Sequence, residues 1–260
     1  MCLNSLKRDI CCIEGTKAVI LVAPHAFDGD IDRGIGKDDE NTGTLARELA
    51  GRYGFYAVVN ERYKRTGHRH EPDMEAGFID CNRIDQVTSF LREPFLSRIV
   101  SFKEAILHAG NGRLLIVHIH GAHDRSFDAY QTKVQCPKAP GILIGYGQGE
   151  VPGGNRFTAA ETLVDLLIIH LSGQNGSGIP AVKTHPAYPN YCGRNPNNLN
   201  QLFRDGPYRD PRVQSIQIEI KKAYRRPAHL TQTVLALGAA LSKLADDHLA
   251  RQAPHTVHVV

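Results

Sequence analysis

The stretch Ala18-Val19-Ile20-Leu21-Val22-Ala23-Pro24-His25-Ala26-Phe27-Asp28 decides how the rest of the chain is interpreted. Its uninterrupted apolar run leads into Pro24 and His25, which predicts a buried strand that ends at the edge of a sheet. Ligand sites in open α/β sheets lie outside the carboxyl ends of the strands. His25 and Asp28 therefore lie where a ligand-binding or catalytic site is expected. This His-x-x-Asp pair offers two ligand types that zinc accepts, although polar turns use the same residues.

Length, composition and charge limit the classes of protein to consider. A chain of 260 residues suits one α/β domain spanning 1–260, and its 42% apolar and 22% charged residues are ordinary for a soluble globular protein. The net charge of +4 is spread along the chain, which predicts neither a nucleic-acid nor a membrane partner. The six cysteines form no C-x-x-C pair. The polar N-terminal segment lacks a signal-peptide core, so we expect a cytoplasmic protein.

Strand and helix patterns alternate along the chain. Strand candidates are residues 17–23, 56–60, 113–120, 140–145, 179–184 and 214–221. Helical patterns cover 43–53 after the candidate N-cap Thr42, 84–109 with a break near Pro94, 158–171 capped by Thr158, and 230–249. This alternation predicts an α/β domain with a largely parallel sheet covered on both faces. The long polar stretches 61–80 and 185–212 are expected to be binding loops.

The strand candidate at 113–120 carries two histidines at its end. His118 and His120 lie on one face because side chains alternate along a strand, and His120 is closer to the carboxyl edge. His120 therefore meets His25 and Asp28 if the two strands are neighbours. His118 lies one pleat deeper and is expected to be a hydrogen-bonded core residue.

A carboxylate interrupts the last strand candidate at Glu219. Burial of a glutamate is costly unless the residue is paired or functional. One interpretation is a solvent-facing residue on an edge strand, since alternation allows one polar face. The other is a general base beside a metal-bound water.

The segment Asp80-Cys81-Asn82-Arg83 directly precedes a helical pattern. Arginine is suited to a bidentate grip of a carboxylate, and Asn82 adds a neutral donor beside Arg83. The alternative is a structural pair between Arg83 and Asp80 or Asp85 at the start of the helix.

Four motifs in this order resemble the N-formylglutamate amidohydrolase family, which is itself similar to zinc carboxypeptidases and to the aspartoacylase/succinylglutamate desuccinylase enzymes. The motifs are Pro24-His25-x-x-Asp28, Asp80-Cys81-Asn82-Arg83, His118-Ile119-His120-Gly121 and Gln217-Ile218-Glu219-Ile220. The resemblance implies a three-layer α/β/α fold with a mostly parallel, mixed central sheet. It also implies a Zn²⁺ ion held by His25, Asp28 and His120, with Glu219 as general base and then acid.

The reaction implied by the resemblance is the hydrolysis of an amide bond next to a carboxylate, in an N-acylated amino acid or small peptide. Asn82 and Arg83 match the pair that grips the substrate's carboxylate in that family. The chain departs from the wider group, which usually has His-x-x-Glu and Asp-Leu-His. His118 and His123 therefore remain alternatives to His120 as ligands. The residue that stabilises the oxyanion is left open among three arginines, namely Arg62, Arg65 and Arg69.

Two functional classes follow from these motifs. The first is a zinc-dependent amidohydrolase, with a carboxypeptidase-like metallopeptidase as its near alternative. The second is a non-catalytic relative that keeps the fold and the metal. Glu219 favours the enzyme, because a purely structural metal has no use for a base beside an open coordination position. The residues expected to line the substrate pocket are Tyr188, Tyr191, Arg194 and Asn195.

Overall fold

A single seven-stranded sheet organises the part of the chain that the computed structural model describes. That part comprises residues 10–29, 35–66, 71–73, 75, 77–89, 92–110, 112–136, 138–150, 154–173 and 178–249. Its strands are β1 (Ile10–Ile13), β2 (Val19–Ala23), β3 (Tyr56–Asn60), β4 (Leu114–Ala122), β5 (Ile142–Gly145), β6 (Ala181–Lys183) and β7 (Val213–Lys221). Each of the six predicted strand intervals overlaps an observed strand.

The strand order is β1-β3-β2-β4-β7-β5-β6. Strands β3, β2, β4 and β7 are mutually parallel, and β6 is parallel to β5. Strand β1 is antiparallel to β3, and β5 is antiparallel to β7. Helices cover both faces of the sheet. The predicted α/β fold with a mostly parallel, mixed central sheet is confirmed.

The helices lie largely where the sequence predicts them. They are α1 (Thr42–Tyr53), α2 (Ile84–Ser89), α3 (Ser97–His108), α4 (Asp124–Val134), α5 (Glu161–Ser172), α6 (Pro189–Cys192), α7 (Lys222–Arg225) and α8 (Pro227–Leu244). The predicted break near Pro94 is a π-helical turn at Arg92–Leu96. Thr158 does not cap α5, because its hydroxyl donates to the main-chain oxygen of Ser215 at 2.6 Å. No helix in the described ranges is long and apolar enough to cross a membrane.

Burial explains why the central strands form where they do. Every residue of β2 is buried, and the residues of β4 and β7 are buried except at their carboxyl ends. Continuous burial of this kind is typical of parallel strands covered on both faces. The three strands run in the same direction, so the segments that follow β2, β4 and β7 meet at one edge of the sheet.

Candidate metal centre

Two histidines and one aspartate converge at this carboxyl edge. His25 follows β2, His120 lies near the end of β4, and Asp39 precedes α1; all three are buried. Their potential ligand atoms all lie within 4.8 Å of one another. The Oδ2 atom of Asp39 is 3.5 Å from the Nδ1 atom of His25 and 3.4 Å from the Nδ1 atom of His120. Two imidazoles and one carboxylate form a donor set that zinc accepts in catalytic sites.

Main-chain hydrogen bonds bring Asp39 to the histidines. The amide of Asp39 donates to the carbonyl of His25 at 2.9 Å, and the amide of Asp38 donates to the carbonyl of Phe27 at 3.0 Å. The Asp39 carboxylate also accepts the amide of Gly121 at 3.1 Å. One carboxylate is therefore fixed against the segments that carry both histidines.

The unpaired nitrogen atoms of the histidines fit a metal ion. The Nε2 atom of His25 lies 2.8 Å from the Oδ1 atom of Asp80, which leaves its Nδ1 atom facing Asp39. That Nδ1 atom and the Nε2 atom of His120 are buried and form no hydrogen bond. Buried polar atoms are rarely left without a partner, and a metal ion would supply one for these nitrogens.

Asp28 does not join this cluster. Its side chain is 48% exposed, and its Oδ1 atom is 4.0 Å from the Nζ atom of Lys37. The carboxylate that the structure brings to His25 and His120 is Asp39. Asp39 is not predicted from the sequence, because its position depends on main-chain hydrogen bonds to His25 and Phe27 that leave no periodic pattern. The acidic run Asp38-Asp39-Glu40 just before α1 is the only local signal for it.

Glu219 lies beside His120 on the neighbouring strand. The two residues are paired in the parallel register of β4 and β7. Because β7 lies between β4 and β5, the interpretation of Glu219 as a residue on an edge strand is wrong. Glu219 is only 6% exposed, and the Nε2 atom of Gln217 donates to its Oε1 atom at 2.8 Å. Burial raises the pKa of Glu219 above its ordinary value, which suits a carboxylate that must accept a proton near neutral pH.

The other two histidines lie outside the cluster. His118 is buried, and its Nε2 atom lies 3.0 Å from the hydroxyl of Ser215. That hydroxyl donates to Asn200 at 2.7 Å, and burial lowers the pKa of His118 to about 3. His118 is thus a neutral, hydrogen-bonded core residue. His123 is exposed and immediately precedes α4.

The segment at residues 80–83 approaches the cluster through Asp80. The amide of Asn82 donates to the Oδ1 atom of Asp80 at 2.9 Å, so Asn82 is tied to the carboxylate that holds His25. The Oδ1 atom of Asn82 is buried without a hydrogen-bond partner. Arg83 instead makes the structural pair, because its Nη2 atom is 2.8 Å from Asp85 and its side chain is 49% exposed.

One of the three candidate arginines lies at the mouth of the cluster. The Nη1 atom of Arg65 is 4.0 Å from the Oδ1 atom of Asp39, and its side chain is 45% exposed. The guanidinium of Arg62 lies over the ring of Tyr63, 5.1 Å from its centroid. Arg69 falls outside the described residues. The structure therefore places Arg65 beside the site, a distinction that the sequence alone did not allow.

The residues predicted to line the pocket occupy the segment before β7. Tyr191 stacks on Tyr188 with ring centroids 6.1 Å apart. Burial, and then the nearby Glu219 carboxylate, raise the pKa of Tyr191, which places this ring close to the general-base candidate. Asn195 is exposed, and Arg194 is half-buried.

Comparison with known proteins supports the fold. No family profile matches the chain, and no curated protein matches its sequence. The N-formylglutamate amidohydrolase of Ralstonia eutropha JMP134 superimposes with a TM-score of 0.51 and 13% identity, over 91% of this chain and 97% of that one. A gene product of Agrobacterium tumefaciens superimposes with a TM-score of 0.54 and 14% identity, over 90% and 95% of the two chains. The resemblance indicated by the four motifs is confirmed at the level of the fold.

Proposed function

We propose that this protein is a zinc-dependent amidohydrolase that cleaves the amide bond of an N-acylated amino acid or small peptide bearing a carboxylate. The observation that carries the proposal is the buried His25–Asp39–His120 cluster with Glu219 in register beside it. A buried carboxylate next to a set of metal ligands is the arrangement that metal-assisted hydrolysis requires. The similarity in fold to an N-formylglutamate amidohydrolase is consistent with this reaction class.

Two side chains of the protein have separate roles in hydrolysis, namely proton transfer and stabilisation of the developing negative charge. Zinc held by His25, Asp39 and His120 would supply a Lewis acid for the amide carbonyl and would lower the pKa of the attacking water molecule to about 7. Glu219 accepts a proton from the attacking water as the new bond to the carbonyl carbon forms. It then gives this proton to the amide nitrogen as the carbon–nitrogen bond breaks. Arg65 stabilises the negative charge that develops on the carbonyl oxygen.

Substrate recognition is assigned to the segment that follows Asp80. The Oδ1 atom of Asn82 is buried and has no hydrogen-bond partner, so it would accept a donor from the substrate once the side chain turns toward the bound molecule. The exposed guanidinium of Arg83 binds the substrate's carboxylate in place of Asp85. This exchange costs little because an exposed ion pair contributes little stability.

Replacement of the general base tests the proposal. The substrate panel comprises N-formyl, N-acetyl and N-succinyl derivatives of acidic and neutral amino acids, together with blocked dipeptides. We expect the wild-type protein to release free amine from at least one of them. Glu219→Gln should lower kcat by about 10²-fold or more, since a positioned acid–base group contributes about 10²- to 10⁴-fold. The metal content should be unchanged.

The matched control is Glu161→Gln, since Glu161 is an exposed carboxylate that pairs with Lys183 at 2.7 Å. Its activity should equal that of the wild-type protein. Hydrolysis that survives in Glu219→Gln would refute the mechanism. A metal-loaded wild-type protein that cleaves nothing in the panel would favour the non-catalytic alternative, and cleavage of the blocked dipeptides alone would favour the carboxypeptidase-like one.

A further inference from the structure

A buried arginine lies directly behind the metal centre and makes no hydrogen bond to a carboxylate in the described part of the chain. Arg225 is the last residue of α7, which follows β7, and it is only 4% exposed. Its Nε atom donates to the carbonyl of Ile220 at 3.0 Å, and its Nη2 atom donates to the carbonyl of Ala122 at 3.4 Å. Its Nη1 atom donates to the carbonyl of Glu40. One guanidinium therefore joins three separate segments of main chain.

The positions of these three carbonyl groups are informative. Ile220 directly follows the general-base candidate Glu219, and Glu40 directly follows Asp39. Ala122 closes β4 two residues after His120. Each bond of Arg225 thus ends within two residues of a group that the site uses. The side chain of Asn41 adds a return contact, because its Nδ2 atom donates to the carbonyl of Arg225 at 2.8 Å.

Gly121 explains how the guanidinium reaches this position. A Cβ atom at residue 121 would lie 2.2 Å from the Cζ atom of Arg225, so only glycine leaves room for this side chain. Neighbouring residues of a strand face opposite sides, so Arg225 lies behind the strand whose front carries His120. The amide of Gly121 also holds the Asp39 carboxylate at 3.1 Å.

We infer that Arg225 is the positioning residue of the metal centre, holding the segments of Asp39, His120 and Glu219 at the separation that metal binding needs. This inference rests on the metal site of the proposed function but not on its hydrolytic reaction. The working feature is the planar fork of the guanidinium, which directs several N–H groups at fixed angles toward different carbonyl groups. A lysine at this position keeps the charge but cannot span three acceptors.

The test measures metal affinity rather than hydrolysis. Zinc dissociation constants would be determined by chelator competition for the wild-type protein and for Arg225→Lys, Arg225→Met and Gly121→Ala. We expect each variant to bind zinc about 10- to 100-fold more weakly, the usual effect of removing a group that orients metal ligands. Cobalt-loaded samples should show a changed visible absorption spectrum, because the coordination geometry loosens.

The matched controls are Arg226→Met and Lys222→Met, which remove a cationic charge from the same region. Arg226 is 60% exposed and lies 3.6 Å from Asp124, whereas Lys222 pairs with Glu40 at 3.1 Å. Both controls should keep zinc affinity within about twofold of the wild-type value, since exposed charges are largely screened. Equal losses in the controls would overturn the inference, because charge alone would then explain the effect.

Two further outcomes would also overturn the inference. One is a folded Arg225→Met protein that binds zinc as tightly as the wild-type protein does. The other is an Arg225→Lys protein with the same wild-type zinc affinity. If Arg225→Met does not fold, Arg225→Lys and Gly121→Ala decide the question, with circular dichroism confirming their structure. A wild-type protein that binds zinc but hydrolyses nothing would refute the proposed reaction and leave this test intact.

Discussion

The Nε2 atom of His25 lies 2.8 Å from the Oδ1 atom of Asp80. Because a carboxylate accepts hydrogen bonds, the contact places a proton on Nε2 and directs the Nδ1 atom toward Asp39 and His120. Asp80 is itself held, since its amide donates to Gln86 at 2.6 Å. The orientation of the first histidine therefore depends on a residue that is distant from it in the sequence.

Removal of the Asp80 carboxylate should weaken metal binding. We expect Asp80→Ala to raise the zinc dissociation constant about 10- to 100-fold, because the His25 ring loses the group that fixes its orientation and tautomer. Chelator competition measures the change. Asp85→Ala is the control, since it removes an exposed carboxylate that pairs with Arg83. An Asp80→Ala protein with wild-type affinity would show that His25 needs no such support.

Substitution of the two candidate carboxylates should identify the metal ligand. Asp39→Ala should lose most of its metal when purified without added zinc, because the cluster is left with two imidazole ligands. Asp28→Ala should retain the wild-type content, since its exposed carboxylate lies toward Lys37. Elemental analysis of the purified proteins provides the measurement. The opposite result would favour the His-x-x-Asp pair that the sequence suggested.

Replacement of Arg65 should affect the reaction more than metal binding. Arg65→Met is expected to lower kcat by about 10²- to 10³-fold, the usual effect of removing one group that stabilises an oxyanion. The zinc dissociation constant should change little, because this guanidinium is 4.0 Å from Asp39 and half-exposed. Arg62→Met is the matched control and should retain activity. Equal losses of activity in both variants would point to a general effect of positive charge.

The sequence predicts the sheet well because burial leaves a strong pattern. Strand β2 is a continuous apolar run, β4 is apolar up to its histidines, and β7 alternates isoleucine with polar residues; the shared direction of the three strands brings His25, His120 and Glu219 to one edge. Strand β1 was not predicted, since Ile-Cys-Cys-Ile is only four residues long and partly exposed. Helix α4 is not predicted either, because its sequence is largely polar and buries only Phe127 and Tyr130.

The site was harder to predict wherever it depends on loops. Asp39 reaches the histidines through main-chain hydrogen bonds between two parts of one loop. Asp80 reaches His25 from a segment whose motif suggests substrate binding or an ion pair with Arg83. Arg225 carries no motif at all, and its role follows from three main-chain carbonyl groups. Such contacts depend on tertiary geometry and have no period in the sequence.

A methyl group at Gly145 should disturb the segment that supports Glu219, the candidate general base. A Cβ atom there would lie 2.1 Å from the carbonyl oxygen of Tyr191. The neighbouring carbonyl of Asn190 accepts a hydrogen bond from the side-chain Nε2 atom of Gln217 at 3.1 Å, and the same atom donates to Glu219. We expect Gly145→Ala to lower the free energy of unfolding by about 1–3 kcal/mol through overpacking.

The same substitution should reduce hydrolysis while leaving zinc affinity close to the wild-type value, because in the described part of the chain no hydrogen bond or ion pair joins residues 190–192 to His25, Asp39 or His120. Urea unfolding and chelator competition measure the two effects. Gly51→Ala is the control, since a Cβ atom there meets nothing within 4 Å on helix α1. This control should raise the free energy of unfolding by about 0.5–1 kcal/mol, as alanine favours a helix. A stable Gly145→Ala protein would contradict the predicted clash.

The stability of the fold should depend on pH through Asp210. The hydrogen bond from Arg212, opposed by burial, lowers the pKa of Asp210 to about 2, and its Oδ2 atom is 3.4 Å from the buried Nζ atom of Lys103. Because the pKa in the folded state is depressed, this carboxylate stabilises the protein fully above pH 4. That stabilisation is then lost as the pH falls from 4 toward 2.

The Asp210→Asn variant isolates this contribution to stability. At pH 7 it should reduce the free energy of unfolding by about 2 kcal/mol, because Lys103 and Arg212 lose a charged partner. The difference from the wild-type protein should shrink between pH 4 and pH 2. Urea unfolding at several pH values, with chelator present to keep metal release out of the measurement, gives both quantities.

Asp246→Asn is the control, since its exposed pair with Lys17 should contribute less than about 1 kcal/mol at any pH. A difference that stays constant down to pH 2 would show that Asp210 acts through packing rather than through its charge.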